Sequence, residues 1–320
     1  MRSGFKVASL LGVIAGFILL SGTIRGSVLN SLSMCATVLL PALFPFFVLS
    51  GLLYDFGLDV LMPPAWCGFW IGAVCGYPLG ARAVCAYYKD GKLDRLQANR
   101  LLMCSSGASP AFLVAAVGSG LLHSTKTGYL LLAAQFLSAL VLFLCAVPQK
   151  TDRVRPRVCS GALLPTLIEG THNAVKQMLF VCAMTVFCGI FADLSVYYLP
   201  YEGTAKALIA GSIEILHGVA LLKDGTQVLA AAAMVGMSGL CVWAQCAYFI
   251  GQTDLGIRYL VLGKLYQTAA LPLFYLALIR APFVVLAAVF AVLIFVLTKR
   301  NRPCIIEKKE EEKYDLFKGY

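Results

Sequence analysis

The chemistry-bearing residues that stand out first are Glu214 and His217, three apart in the run Gly211-Ser212-Ile213-Glu214-Ile215-Leu216-His217-Gly218. A carboxylate at membrane depth costs about 3 kcal/mol even on lenient insertion scales, so groups kept there pair, face a polar cavity or relay protons. The three-residue offset places both side chains on one helical face, where they can share a proton. A second candidate is Gly76-Tyr77-Pro78-Leu79-Gly80-Ala81. Gly76 and Gly80 permit tight turns and close approach of backbone to a ligand, and Pro78 lacks the N–H that would occupy a carbonyl. A hairpin tip of this kind presents helix N-termini to polar or anionic groups. The third candidate is Ser105, Ser106, Ser109 and Pro110, where hydroxyls and a proline inside an apolar run indicate an unwound stretch. Ser238 and Gln245 occupy a similar place in a later run. Together these residues are the expected binding set for a small polar solute.

Gly236-Met237-Ser238-Gly239 also looks like the serine pattern of intramembrane proteases, in which a later histidine serves as base. His123, His172 and His217 all precede Ser238, so that chemistry has no base in the required order. H-E-x-x-H, P-loop and dinucleotide fingerprints are missing, and enzymatic activity is not expected. The 12 cysteines contain no C-x-x-C pair and are scattered through apolar runs. That spacing argues against zinc or a disulfide framework and for packing residues. No metal and no cofactor are expected.

These residues sit in a chain of 320 residues that is 60% hydrophobic and 13% charged. A soluble domain is nearer one quarter charged, and the apolar surplus exceeds what one core can hide. The fold expected is all-α and polytopic, built of helices that satisfy their own backbone in lipid. Apolar runs at 5–22, 28–53, 101–122, 128–147, 177–199, 227–250, 256–279 and 281–298 give about eight spans. The stretch at 5–22 reads as an uncleaved first helix. Two further apolar segments, 58–88 and 203–222, are punctured by glycine or proline, and a pair of broken segments is the best sequence pointer to a transport site. Each is followed by two spans, a weak internal repeat that predicts two re-entrant hairpins in inverted repeats. Asp193 and Lys264 read as interfacial residues near span ends.

Charge supports that topology. Of the 26 basic residues, only Arg25, Lys126, Lys206, Lys223 and Arg280 fall outside when both segments re-enter and both termini are cytoplasmic. This matches the positive-inside rule. The net charge of +10 therefore reflects topology and anionic lipid rather than nucleic acid, which is not an expected partner. The organisation expected is an N-terminal helix pair (1–55), a first repeat (56–149), a basic cytoplasmic linker (150–176), a second repeat (177–280), a last span (281–298) and a charged tail (299–320).

The motifs G-Y-P-L-G-A from Gly76, C-S-S-G-A-S-P-A-F from Cys104, G-S-I-E-I-L-H-G from Gly211, G-M-S-G-L-C-V-W-A-Q from Gly236 and T-D-L-G-I-R-Y-L from Thr253 occur in one order. In that order, from about residue 30 to 280, the chain resembles the YlbJ-type sporulation integral membrane proteins. These look like members of a wider group carrying the nucleoside-recognition, or gate, domain. The resemblance implies a bacterial cell membrane, a role in spore formation, hairpin tips at Gly76–Ala81 and Glu214, and broken helices at Ser105–Pro110 and Gly236–Gln245. It implies a transporter-like carrier of a small, nucleoside-like polar solute. The alternative is a non-transporting scaffold for spore-envelope assembly that binds partners through the basic loop and tail. Relatives often carry Asn where this chain has Ser105 and Ser106, a departure that bears on the ligand rather than the fold. Expected partners are the lipid bilayer, the solute, and either further copies of the chain or sporulation membrane proteins.

Overall fold

A computed structural model describes residues 2–147, 162–222, 227–285, 287–288 and 290–291. Residues 150–161 of the expected linker, Lys223, half of the expected last span (286, 289 and 292–298) and the tail 299–320 lie outside the described residues.

Every regular element of the described chain is a helix, with no strand among the described residues. Helix α1 spans Arg2–Leu19, and α2 spans Ser21–Asp55 with a π-helical stretch at Cys35–Leu39. That stretch lies just before Pro41, whose missing N–H cannot close the α-helical ladder. Helices α3 (Pro64–Cys75) and α4 (Leu79–Lys89) form the first hairpin. Helix α5 (Arg95–Leu102) opens with a capping box. There Asp94 Oδ1 accepts from Gln97 N (2.7 Å), and Gln97 Oε1 accepts from Asp94 N. Irregular backbone at 103–109 leads into the π-helical α6 (Phe112–Leu121), and α7 (Thr125–Ala146) follows.

Helix α8 runs the full Leu163–Tyr198. Residues 163–176, expected in the linker, are therefore helical. Helices α9 (Gly203–Ile213) and α10 (Ile215–Ala220) form the second hairpin. Helices α11 (Val228–Met237) and α12 (Gly239–Ile250) are halves of one run broken at Ser238, and α13 spans Ile257–Arg280. The apolar run 101–122 is not one continuous helix. Its first residues finish α5, and the seven-residue irregular stretch separates them from α6. Serine, glycine and a proline cluster there, and none holds a helix interior well.

The same order of elements occurs twice: long helix, hairpin, broken span, long helix. It covers α2 to α7 and then α8 to α13. Each hairpin is closed at its base. In the first, Lys92 Nζ lies 2.6 Å from Asp59 Oδ2, with both side chains buried. In the second, Gln227 Nε2 donates to Thr204 Oγ1 (3.0 Å). The arms of α3, α4 and α9 hold 11 or 12 residues. At 1.5 Å rise per residue each reaches about 16–18 Å, roughly half of a 30 Å hydrocarbon layer. Glycines set the arms together: a Cβ at Gly80 would meet Gly72 Cα at 2.7 Å, and one at Gly218 would collide with Gly211.

Five described helical stretches are long and apolar enough to cross a bilayer: 21–55, 125–146, 163–198, 228–250 and 257–280. Their outer faces carry large apolar side chains, with Leu179 66% and Leu273 65% exposed. Water would penalise such a surface and lipid does not. The chain is an all-α polytopic membrane protein. Its core centres on Phe69, stacked on Phe143 at 4.6 Å and ringed by Trp66, Trp70 and Phe136.

Candidate functional site

The two hairpin tips and the two broken spans converge. The first tip, Gly76-Tyr77-Pro78, has Gly76 at φ +75°, and a Cβ there would meet Ser109 N at 2.5 Å. Only glycine fits that angle and that approach. Tyr77 N then donates to Gly107 O (2.8 Å), which binds the tip to the irregular stretch. Gly72 and Gly80 leave room for the Ser105 carbonyl, which a Cβ at either would strike. Gln135 of α7 holds the same stretch from the other side. Its Oε1 accepts from Ala108 N (2.9 Å) and its Nε2 donates to Ala108 O (2.8 Å). The unwound backbone is thus satisfied by a side-chain amide, as buried polar groups require.

Lys264 of α13 joins the two halves. Its Nζ donates to the Ser106 carbonyl of the first break and to Ser238 Oγ of the second (2.8 Å). The ammonium also lies 5.3 Å from the Tyr77 ring centroid, within cation–π range. The expectation that Lys264 is interfacial is corrected, since it is 3% exposed. Helix α13 turns that position inward, where the carbonyl, the hydroxyl and the ring replace its hydration. Ser238 adopts a left-handed conformation (φ +64°) and donates to Val235 O (2.9 Å) while it accepts from Lys264. Its hydroxyl proton therefore points away from the amine, so here Lys264 acts as a donor that ties the breaks together.

The second tip carries the opposite charge. Glu214 caps α10: its Oε2 accepts from His217 N (3.0 Å) and lies 2.7 Å from His217 Nδ1. A carboxylate at a helix N-terminus is stabilised by the free N–H groups there. The other ring nitrogen, Nε2, lies 3.2 Å from Ser31 Oγ of α2 and 3.8 Å from Asp193 Oδ2 of α8. Asp193, near the C-terminal end of α8 and 29% exposed, turns toward the histidine. A Cβ at Gly189 would stand 2.7 Å from His217 Cε1, so the absence of a side chain there admits the ring.

Several buried polar atoms at this crossing have no hydrogen-bond partner among the described residues: Tyr77 Oη, Ser105 Oγ, Ser106 Oγ and Gln245 Oε1. Tyr77 lies within electrostatic reach of Glu214, and the Cys246 thiol lies beside Ser106 and Lys264. Each such atom is costly to leave unpaired in a low-dielectric interior, by about 1–3 kcal/mol. They are of the kind a polar solute satisfies. No group of three His, Cys, Asp or Glu side chains that could hold a metal occurs among the described residues.

The sequence-selected residues divide by role. Ser106, Ser238, Glu214 and His217 bring side chain or backbone into the two charged clusters, and Ser105 and Gln245 supply open hydrogen-bonding atoms. Ser109 caps the helical turn that begins at Pro110 and runs into α6, its Oγ accepting from Phe112 N (3.2 Å), and Pro110 sits at the first helical position, where a missing N–H is harmless. Gly76, Pro78 and Gly80 shape the tip and pack. Lys264, Asp193, Ser31, Tyr77 and Gln135 complete the site. For Lys264 and Asp193 an ionisable group inside an apolar run was a usable signal. For Ser31 and Gln135 the sequence holds none.

No family model matches the chain, and no solved structure matches it. It is similar to the sporulation integral membrane protein YlbJ of Bacillus subtilis (strain 168), with 23% identity over 74% of this chain and 73% of that protein. This supports the YlbJ-type resemblance in the sequence motifs. The wider gate group rests on those motifs alone.

Proposed function

We propose that this YlbJ-like membrane protein is a carrier of a small polar solute, serves spore formation in the bacterial cell membrane, and works by alternating access around the crossing of its two hairpins and two broken spans. The observation that carries this reading is the set of unpartnered buried atoms on Tyr77, Ser105, Ser106 and Gln245 beside the Lys264 bridge. Irregular backbone at membrane depth persists where it lines a polar cavity or is buried in protein, and transporters place solute sites at such breaks. Hydroxyls, an amide oxygen and one fixed cation suit a neutral polar solute rich in hydroxyl and N–H groups, and a nucleoside is one such compound. Closed hairpin bases leave three crossings per repeat, so the second repeat inserts with the opposite orientation. The spore-formation role follows the relative's designation, and cytoplasmic termini follow the charge bias. The scaffold alternative relies on the tail and on residues 150–161, which lie outside the described residues.

The test is uptake of radiolabelled uridine and adenosine into proteoliposomes. Saturable uptake that falls roughly five- to thirtyfold in Ser106→Ala and Gln245→Ala supports the site, each lost hydrogen bond to substrate being worth about 1–2 kcal/mol. Uptake of neither compound above protein-free vesicles overturns the nucleoside-like assignment. Full uptake in Glu214→Gln overturns any part for the carboxylate.

A further inference from the structure

We propose that Asp193, His217 and Glu214 form a proton path from the face of α8 to the buried crossing, and that a proton is the coupling ion of the carrier. The inference rests on the carrier reading for its purpose and on side-chain geometry for the path itself. The imidazole stands between two carboxylates, one at each ring nitrogen. Nδ1 lies 2.7 Å from Glu214 Oε2, and Nε2 lies 3.8 Å from Asp193 Oδ2. The two acids differ in access: the Asp193 side chain is 29% exposed and that of Glu214 3%. A path with one open and one buried end, joined by a group that carries a proton on either nitrogen, is the arrangement a relay needs.

The neighbouring elements keep the ring in place. Ser31 Oγ, on the first long helix, lies 3.2 Å from Nε2. Gly189 and Asp193 are four apart on α8, so they share a face, and a side chain at Gly189 would displace the imidazole. The other titratable groups that face Glu214 are the thiols of Cys35 on α2, Cys188 on α8 and Cys241 on α12, and the phenol of Tyr77 at the first tip. Helices α6 and α11 bring no titratable group, and Lys206 of α9 lies a full turn or more from the second tip.

The step balances with one proton. Protonated Asp193 moves about 1 Å to reach hydrogen-bond distance and gives its proton to Nε2 of the neutral ring. The Nδ1 proton passes to Glu214 Oε2, leaving Asp193 ionised, Glu214 protonated and the ring neutral in its other tautomer. A neutral Glu214 no longer caps α10 as an anion. The second tip is thereby released for movement.

The path can be tested without solute. Purified protein in nanodiscs is subjected to a rapid drop in pH while the infrared band of protonated Glu214 is followed, the band being assigned by its loss in Glu214→Gln. Asp193→Asn and His217→Gln are expected to slow the growth of that band by roughly a hundredfold, the low end of what a positioned proton-transfer group contributes. Asp193→Glu is expected to keep the original rate, which a merely structural role for Asp193 would not require. An unchanged rate in Asp193→Asn overturns the path, and so does a Glu214 band that never responds to pH. Either failure leaves the solute-uptake test of the carrier reading untouched.

Discussion

Lys264 shows how much one side chain decides. Its ammonium is fully enclosed, and its partners come from both repeats, the Ser106 carbonyl and Ser238 Oγ. Exchange for methionine preserves length and apolar contact but removes both bonds. Ser238 keeps its bond to Val235 O, whereas the Ser106 carbonyl loses its charged donor. Lys264→Met is expected to lower unfolding free energy by about 1–3 kcal/mol, measured as a lower thermal midpoint in detergent. Solute uptake should fall further than that loss explains, because the two breaks are no longer joined. A midpoint equal to that of the parent would mean the bridge contributes nothing. Gln135 makes a parallel case. Gln135→Leu leaves both Ala108 N and Ala108 O unpaired, at about 1–3 kcal/mol each, so it should destabilise more than Lys264→Met in the same assay.

Hairpins of this size hold their shape through glycine contacts. The two arms of each meet backbone to backbone, Gly72 against Gly80 and Gly211 against Gly218. Gly80→Ala and Gly218→Ala each force a methyl group into backbone that cannot yield, at about 1–3 kcal/mol or more. Gly26→Ala on α2 meets no atom within 4 Å and serves as the control. The expected outcome is loss of folded, monodisperse protein for the hairpin variants and none for the control, read by fluorescence-detected gel filtration. Normal elution of Gly80→Ala would show that the first hairpin packs more loosely than its glycines indicate. The breaks have their own logic: Ser109 and Pro110 restart a helix, so the irregular stretch is bounded by an N-cap on its exit side.

At the scale of the whole molecule, the decisive feature is that both hairpins return to their own side. The bonds Lys92–Asp59 and Gln227–Thr204 pin the two bases. In a cysteine-depleted background, the pair Thr204→Cys and Gln227→Cys is expected to cross-link under mild oxidation. Single cysteines at Tyr201 and Gln227 should react with an impermeant maleimide from one face only. Reaction from opposite faces would turn the second hairpin into a span, reverse every later segment and remove the buried crossing. The long helices α2 and α8 pack together, and α7 packs on α13, so equivalent elements of the two repeats meet across the molecule. Tyr266 Oη to Ser138 O (3.2 Å) and Ser138 Oγ to Gln267 Oε1 (2.8 Å) fasten the second of these pairs.

By itself the amino-acid sequence determined the class of fold and the places where it breaks. Apolar runs in lipid must close their own backbone bonds, and glycine, proline and serine cannot hold such a run intact, so breaks at Gly76–Ala81 and Ser105–Pro110 were legible from residue type, whereas the tip at Glu214 and the break at Gly236–Gln245 came from the family resemblance. The Glu214–His217 pair was legible too, being three residues apart. Only tertiary structure decided what those breaks meet. Lys264 reaches a carbonyl 158 residues away, and Ser31 reaches a histidine 186 residues away. Which face of α13 or α8 turns inward is set by helix packing, where small residues such as Gly189 and Gly263 let neighbours approach. Local sequence carries the cost of burying a charge. Only the assembled helices supply the partners that offset it.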